Sequence, residues 1–285
     1  MSLTRTELIP GYPILEINHP TATARVALHG AHLLEWTPAG QSPVLYLSPQ
    51  AVYAAGQPIR GGIPVCWPWF GPHPSDSTLP AHGFARVCLW DLASHEEDES
   101  GVHLTFTLAD SPATRLLWPH PFHLTLDIYI GATLHLSLRM TNPGAGRLPL
   151  SAALHTYFVT GDIHQTRVSG LHGIPYHEKI TVPPDHLQEG DVTFDGEVDR
   201  LYDSGLPVKI HDPGNARVLT IEGTGSHSTV VWNPWINKSK LLGDLPDDGY
   251  RGFLCVETAN AGIDALSLAA GATHTLATTV RVESK

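Results

Sequence analysis

The stretch HLTLDIYIGATLHLSLRMT, residues 123–141, decides the fold class of this chain. Apolar residues alternate with polar ones on both sides of a central Gly-Ala: Leu124, Leu126, Ile128 and Ile130 before it, Leu134, Leu136, Leu138 and Met140 after it. Successive side chains of a β-strand point to opposite faces, so a period of two indicates a strand with one buried face. The stretch therefore predicts a long antiparallel hairpin.

The same period recurs along most of the chain. Residues 102–108 alternate in the same way, and shorter strand-like runs occupy 208–210, 218–221, 229–232, 253–257 and 276–282. Helical windows are almost absent, and the 24 prolines and 26 glycines stand mainly between the runs, as turn residues do. We expect an all-β fold, an antiparallel β-sandwich with few short helices, formed as one domain over residues 1–285. The acidic stretch 185–203 is interpreted as a long connection.

Composition argues against several kinds of partner. The chain has 17 basic and 28 acidic residues and a net charge of −11, which repels nucleic acids and anionic membranes. The first residues lack the apolar core of a signal peptide, and no run approaches the ~18 apolar residues of a membrane span. Three cysteines without CxxC spacing are typical of a reducing compartment. We therefore expect a cytoplasmic protein, and a monomer because no long exposed apolar stripe appears.

Charged residues stand in a rigid frame in RGGIPVCWPWFG at 60–71 and AHGFAR at 81–86. Glycine allows close backbone approach, proline fixes φ, and aromatic rings supply flat apolar walls. Arg60 and Arg86 offer planar forks of donors that suit an oxyanion, and His82 lies between them in sequence. These segments predict the floor of a pocket for a small anionic, partly apolar molecule.

Two further segments place an ionisable side chain inside an apolar run. His155 belongs to LHTYF at 154–158, and Glu257 ends the apolar run in FLCVETAN at 253–260. A buried charge is costly unless it is partnered, and burial raises the pKa of a carboxyl group. One acid and one base are the minimum equipment for proton-transfer catalysis.

Each of these residues also has a purely structural interpretation. His155 could be a satisfied core histidine, Glu257 an ion pair at a sheet rim, and Arg60 a surface salt bridge. The tryptophan pairs, Trp67 with Trp69 and Trp232 with Trp235, are more often packing residues than ligand platforms.

Metal and nucleotide sites have less support. His29 and His32, like His120 and His123, are spaced by three without an HExxH motif or a Cys/His quartet. No Walker pattern and no GxSxG motif occur.

Taken together, the motifs resemble the aldose 1-epimerase (galactose mutarotase-like) superfamily, and within it the glucose-6-phosphate 1-epimerase branch. The segments that carry the resemblance are RGGIPVCWPWFG (60–71), AHGFAR (81–86), LHTYF (154–158), VDRLY (198–202), WNPW (232–235) and CVETAN (255–260). The resemblance implies a supersandwich with an open cleft on one sheet face, no metal and no organic cofactor. It implies interconversion of the α and β anomers of a hexose 6-phosphate through ring opening and closure.

The resemblance also implies a role for each site residue. Glu257 is expected to be the base that takes the proton of the C1 hydroxyl, and protonated His155 the acid at the ring oxygen. The expected substrate-binding residues are Arg60, Arg86, Asp199, His82, Ala81 and Trp232. Asp199 would bind sugar hydroxyls or keep the histidine charged, and Ala81 stands where some relatives carry a polar side chain. Two guanidinium groups in one pocket favour a phosphorylated sugar, because they bind phosphate through charge-assisted hydrogen bonds.

Three other functions stay open at this point. The chain could be a mutarotase for unphosphorylated aldoses, or a non-catalytic carbohydrate-binding β-sandwich that needs no acid/base pair. A glycosidase would use two carboxylates at a set separation, here Glu257 and Asp199.

Overall fold

Antiparallel strands recur along the whole described chain, as the period of two predicts. The computed structural model describes residues 2–178 and 186–284. Its strands are, in chain order, β1 Leu3–Glu7, β2 Pro13–His19, β3 Ala22–Ala27, β4 His32–Pro38, β5 Val65–Cys66, β6 Asp91–Asp98, β7 Gly101–Ala109, β8 His123–Gly131, β9 Leu134–Thr141, β10 Leu148–Leu150, β11 Ala152–Leu154, β12 Tyr157–Val159, β13 Arg167–Ser169, β14 Pro175–Glu178, β15 His186–Leu187, β16 Val192–Thr193, β17 Val198–Tyr202, β18 Val208–Asp212, β19 Arg217–Thr224, β20 Ser228–Asn233, β21 Phe253–Asn260, β22 Leu266–Leu268 and β23 Thr273–Ser284.

The hairpin of residues 123–141 forms the middle of the larger sheet. Strands β8 and β9 pair in the register Leu126↔Leu138, and all their alternating apolar residues are fully buried. The sheet runs in the order β16-β13-β18-β19-β23-β9-β8-β7-β6, and its neighbouring strands pair antiparallel. The predicted strands at 102–108, 208–210, 218–221 and 276–282 all lie in this sheet.

A second antiparallel sheet packs against the first. Its order is β15-β14-β17-β20-β21-β11-β5, and β12 also pairs with β21. Val231 and Val256 of this sheet share one apolar cluster with Leu126 and Leu138 of the other, so the core lies between the two sheets. The prediction of an all-β antiparallel sandwich is confirmed.

Two smaller sheets and a few short helices complete the fold. Strands β1 to β4 form a four-stranded sheet, and β10 pairs with β22. The helices of the described residues are α1 Pro112–Leu117 and α2 Trp235–Ser239, with 3₁₀ turns at Ala85–Val87, Ile163–Gln165, Pro213–Asn215, Gly249–Gly252 and Gly262–Asp264. Neither helix has the length and apolar character that a bilayer-spanning segment requires.

The interpretation of 185–203 as one long connection is wrong for its described part. Strands β15, β16 and β17 lie there, and β17 pairs with β20 beside the centre of the smaller sheet. Most acidic residues of this stretch lie between the strands, and Asp199 lies within β17, so the short apolar runs are not obvious in the sequence. Residue 185 itself lies outside the described residues.

Candidate active site

Period-two alternation in β21 sorts its side chains between the core and the opposite face of the smaller sheet. Leu254 and Val256 belong to the main core. Phe253 and Cys255 belong to a second cluster on the other face. Glu257 has the parity of Phe253 and Cys255 and therefore points to that second face.

Neighbouring strands bring other predicted residues to the same face. The register pairs Asp199 with Trp232, Trp232 with Cys255, and Cys255 with Tyr157. In the adjacent row Val230 pairs with Glu257. Cross-strand neighbours lie about 5 Å apart, so four strands deliver these side chains to one small area.

His155 reaches Glu257 through a break between two short strands. Leu154 of β11 pairs with Thr258 and Tyr157 of β12 pairs with Cys255, so His155 lies opposite the Glu257 region. Its Nε2 is 3.4 Å from Oε1 of Glu257, and the side chains are 9% and 1% exposed. The imidazole stacks on the ring of Tyr157 at 4.8 Å with an interplanar angle of 9°. This pair can exchange a proton with a ligand above it.

One cavity of about 320 Å³ lies over this floor. That volume falls within the roughly 300–1,000 Å³ typical of small-molecule sites. All eight predicted site residues line it: Arg60, Ala81, His82, Arg86, His155, Asp199, Trp232 and Glu257. The structure thus brings together residues that are far apart in sequence.

The two arginines enter the cavity with different partners. Arg60 donates from Nε to Oδ1 of Asp244 at 3.1 Å and from Nη1 to the hydroxyl of Tyr157 at 2.9 Å. Arg86 donates from Nη2 to the carbonyl of Ala81 at 2.7 Å. A guanidinium carries more N–H donors than these bonds use, so both retain donors for an anion.

The two glycine-rich motifs are joined through the backbone. His82 has φ of 64°. Its N–H donates to the carbonyl of Gly71 at 2.7 Å, and its Nδ1 accepts from the N–H of Gly71 at 3.3 Å. Its ring lies 5.5 Å from that of His155. Trp67 and Trp69 are buried in the main core, the packing role that their structural interpretation gives them.

The surroundings of His155 act on the protonation of its imidazole. Burial holds the pKa of His155 well below its usual value, and the nearby His82, Arg86 and Arg60 lower it further. These surroundings favour the neutral imidazole while no anion is bound, and the role of His155 as the protonated acid stays a prediction. The sequence pattern could not show how completely this side chain is buried among cations.

Three polar residues of the cavity lining, Tyr157, Lys238 and Asp244, were missed by the sequence analysis. Tyr157 could have been found, because it shares the face of His155 two residues earlier. Asp244 and Lys238 come from the segment after β20, where no local pattern marks them. Lys238 places Nζ 2.9 Å from Oε1 of Glu197 and 3.7 Å from Oδ2 of Asp199, and 5.9 Å from the centre of the Trp232 ring.

Within residues 2–178 and 186–284, no group of three or more His, Cys, Asp or Glu side chains is arranged to hold a metal ion. The chemistry available in the cavity is that of a neighbouring imidazole and carboxylate, two guanidinium groups and an indole wall.

Comparison with known proteins identifies relatives of this chain. The sequence model of the aldose 1-epimerase family matches residues 13–281. A protein of Escherichia coli K12, named as a candidate glucose-6-phosphate 1-epimerase, is 44% identical over 251 residues, which cover 87% of this chain and 83% of that protein.

Solved structures agree with the sequence match. The crystal structure of a candidate mutarotase from Salmonella typhimurium superposes with a TM-score of 0.94 and 37% identity, covering 100% of this chain and 94% of that chain. A galactose mutarotase-like protein of Lactobacillus casei, 16% identical, superposes with a TM-score of 0.73 over 95% of this chain and 100% of its own. At that identity the likeness concerns the fold alone, and it confirms the predicted supersandwich.

Proposed function

The chain belongs to the aldose 1-epimerase family and is an isomerase that acts on carbohydrates, and from this premise we propose that its substrate is a hexose 6-phosphate. The proposed reaction interconverts the α and β anomers by acid/base-catalysed ring opening and closure. The proposal rests on one observation above all. Nε2 of His155 lies 3.4 Å from Oε1 of Glu257 on the floor of a cavity whose walls carry Arg60 and Arg86.

The separation of this pair suits the two proton transfers. The C1 hydroxyl and the ring oxygen of a pyranose are bonded to the same carbon. A base for one and an acid for the other must therefore be close neighbours. Glu257 takes the hydroxyl proton, His155 protonates the ring oxygen, and the ring opens to an aldehyde. Rotation about C1–C2 presents the other carbonyl face, and closure returns both protons. Each positioned acid or base typically contributes about 10²–10⁴ in rate.

In this scheme the bound phosphate group favours protonation of His155, which takes the proton from solvent. Arg60 and Arg86 are among the cations that lower the pKa of His155. A dianionic phosphate bound to their remaining donors offsets both charges and so raises the pKa of His155. The phosphorylated substrate thereby promotes the acid form that ring opening needs. Asp199, Ala81, His82 and Trp232 are proposed to contact the sugar.

The test compares glucose 6-phosphate with glucose by magnetisation-exchange NMR between the anomeric protons. We expect faster enzymatic exchange of the phosphorylated sugar. Glu257→Gln should lower kcat by about 10²–10⁴ and leave binding nearly unchanged. Glu222→Gln, a carboxylate on β19 outside the cavity lining, is the matched control.

Arg86→Met tests how much the phosphate group of the substrate contributes to binding. It should raise KM for glucose 6-phosphate by about 10-fold or more, as expected for the loss of a charge-assisted contact. Turnover of glucose should not fall, because loss of this cation raises the pKa of His155. Arg139→Met, an exposed arginine of β9, should change neither value. Equal turnover of both sugars, together with an unchanged KM in Arg86→Met, would contradict the phosphate assignment and favour an unphosphorylated aldose.

We also propose that the chain is one domain that acts as a cytoplasmic monomer. The sparse cysteines and the acidic surface support this proposal. Sedimentation analysis at micromolar concentration should give a single species near 30.9 kDa, and thermal unfolding should show one cooperative transition. A stable dimer or two separate transitions would contradict it.

A further inference from the structure

We propose that Tyr157 is a positioning residue that joins the anion-binding side of the cavity to the acid/base pair. Its ring fixes the imidazole of His155, and its hydroxyl fixes the guanidinium of Arg60. The inference rests on the proposed function, because it assigns the work of one side chain within that site.

The ring of Tyr157 holds the imidazole plane. The two rings are stacked at 4.8 Å and 9°. The ring of Trp232 packs edge-on against both rings, and its centroid lies 6.0 Å from the centroid of each. Phe253 supports Tyr157 from behind at 5.4 Å. With Tyr157 and His155 both buried, the imidazole keeps the orientation that directs Nε2 to Glu257.

The hydroxyl of the same ring holds the arginine. It accepts a hydrogen bond from Nη1 of Arg60 at 2.9 Å, while Asp244 accepts from Nε at 3.1 Å. Two bonds at different nitrogens fix the plane of the guanidinium and the direction of its remaining donors. Burial raises the pKa of Tyr157, so the hydroxyl stays neutral and remains an acceptor for Arg60.

The ring of Tyr157 contacts His155 and its hydroxyl contacts Arg60. Substitutions can therefore remove the hydroxyl contact alone or both contacts together. Tyr157→Phe removes the hydroxyl and keeps the stack, and therefore affects the arginine. Tyr157→Leu removes both, and adds the loss of imidazole orientation. Small misplacements of a catalytic group cost large factors in rate, so the second variant should lower kcat where the first does not.

The experiment measures steady-state kinetics on glucose 6-phosphate and the affinity for inorganic phosphate by ³¹P NMR. Tyr157→Phe should raise both KM and the phosphate dissociation constant about 5- to 10-fold, as for loss of one hydrogen bond to a charged group, with kcat within twofold of wild type. Tyr157→Leu should also lower kcat by about 100-fold and shift the imidazole resonances of His155 and the pH profile of kcat. Tyr157→Met, whose flexible side chain fills irregular space, serves as a second stack-free variant.

Matched controls separate positioning from general damage. Tyr202→Phe deletes another buried hydroxyl of the same sheet, one that donates to Oε1 of Gln188 at 2.7 Å, and should leave KM and kcat unchanged. Wild-type KM and phosphate affinity in Tyr157→Phe would overturn the hydroxyl role. Wild-type kcat and imidazole resonances in a folded Tyr157→Leu or Tyr157→Met would overturn the stacking role. An inactive wild type would refute the proposed function instead, and the phosphate titration and the imidazole spectrum would still decide the role of Tyr157.

Discussion

His32 lies beneath the turn that presents Arg60. It is fully buried, and its Nε2 donates to the carbonyl of Gly61 at 2.7 Å. A Cβ added to Gly62 would lie 2.7 Å from the same nitrogen, so the turn rests directly on the imidazole. Burial, together with a smaller effect of the charge of Arg86, lowers the pKa of His32 to about 4. A neutral histidine is therefore part of the support under the arginine turn.

The lowered pKa of His32 predicts a pH-dependent stability. The unfolded chain binds this proton near pH 6.5 and the folded protein near pH 4, so stabilisation is complete above pH 6.5 and is lost as pH falls toward 4. The total is on the order of 3 kcal/mol, with a slope of up to about 1.4 kcal/mol per pH unit. Urea unfolding of wild type and His32→Gln between pH 4 and 7 gives the free energy of unfolding at each pH. The increase of this free energy with pH should be smaller in His32→Gln, by up to about 1.4 kcal/mol per pH unit.

The matched control for His32 is His95→Gln. His95 is exposed on β6, so its substitution should preserve the wild-type slope. An equally steep pH dependence in wild type and His32→Gln would contradict the assignment of this proton uptake to His32.

At the residue scale, the sequence identified the main charged groups of the cavity better than the residues that hold them in place. Arg60, Arg86, His155 and Glu257 stand in dense motifs, and the structure brings all four to one cavity. Their catalytic and binding roles stay predictions. Asp244 could not be found, because its relation to Arg60 depends on a contact across 184 residues of chain.

At the scale of elements, the turn at residues 81–87 is held by its glycine against the backbone that directly follows β5. Gly83 has φ of 70° and forms a bridge with Trp67. A Cβ at this position would lie 2.0 Å from the carbonyl oxygen of Trp67. The turn carries His82 and Arg86 into the cavity, so its distance from β5 sets where both side chains stand.

Gly83→Ala should destabilise the protein and weaken substrate binding. The left-handed φ alone costs roughly 1–2 kcal/mol, and the clash with rigid backbone adds to it by moving the turn. We expect a loss of 3 kcal/mol or more, about the size of other severe backbone effects, and a higher KM for glucose 6-phosphate. Gly40→Ala shares a φ of 73° but meets nothing within 4 Å, so only the φ cost should appear. Equal losses in the two variants would show that the contact with Trp67 is unimportant.

A strand could be predicted from the sequence where its two faces differ clearly in polarity. Strands β7 to β9 alternate large apolar and polar residues, and their positions were predicted within a few residues. The sequence of β3, ATARVA, alternates with alanine, which gives a weak apolar signal. In β6, DLASHEED, almost every residue is exposed, so its strand structure comes from pairing with β7. Local pattern cannot report stabilisation that a neighbouring strand supplies.

At the scale of the molecule, the order of strands was beyond the sequence pattern. β23 pairs with both β9 and β19, and β5 pairs with β11, across long separations in the chain. A period of two fixes which side of a strand is apolar but not which strand lies beside it. The family resemblance supplied the supersandwich, and the alternation supplied the two apolar faces that it packs together.

One buried arginine ties the two sheets together. Arg217 of β19 in the larger sheet is 2% exposed and donates from Nε to Oδ2 of Asp212 at 3.1 Å. Its Nη2 donates to the carbonyl of Val159 in β12 of the smaller sheet at 2.9 Å, and its Nη1 donates to the carbonyls of Ser42 and Pro43. The guanidinium thus pairs with the buried carboxylate of Asp212 and donates to carbonyl groups of the smaller sheet and of a loop.

Arg217→Met should therefore lower the free energy of unfolding by about 3–5 kcal/mol, because it leaves the buried carboxylate of Asp212 without its cation. The carbonyls of Val159 and Pro43 also lose their donor. Arg281→Met is the matched control: that arginine pairs with Glu222 on the neighbouring strand, is 49% exposed and should cost less than about 1 kcal/mol. Urea unfolding at pH 7 measures both. A loss for Arg217→Met as small as that for Arg281→Met would mean that apolar packing alone joins the sheets. A large one would mean that the position of the cavity floor, carried by β12 and β21, depends on a polar link to the opposite sheet.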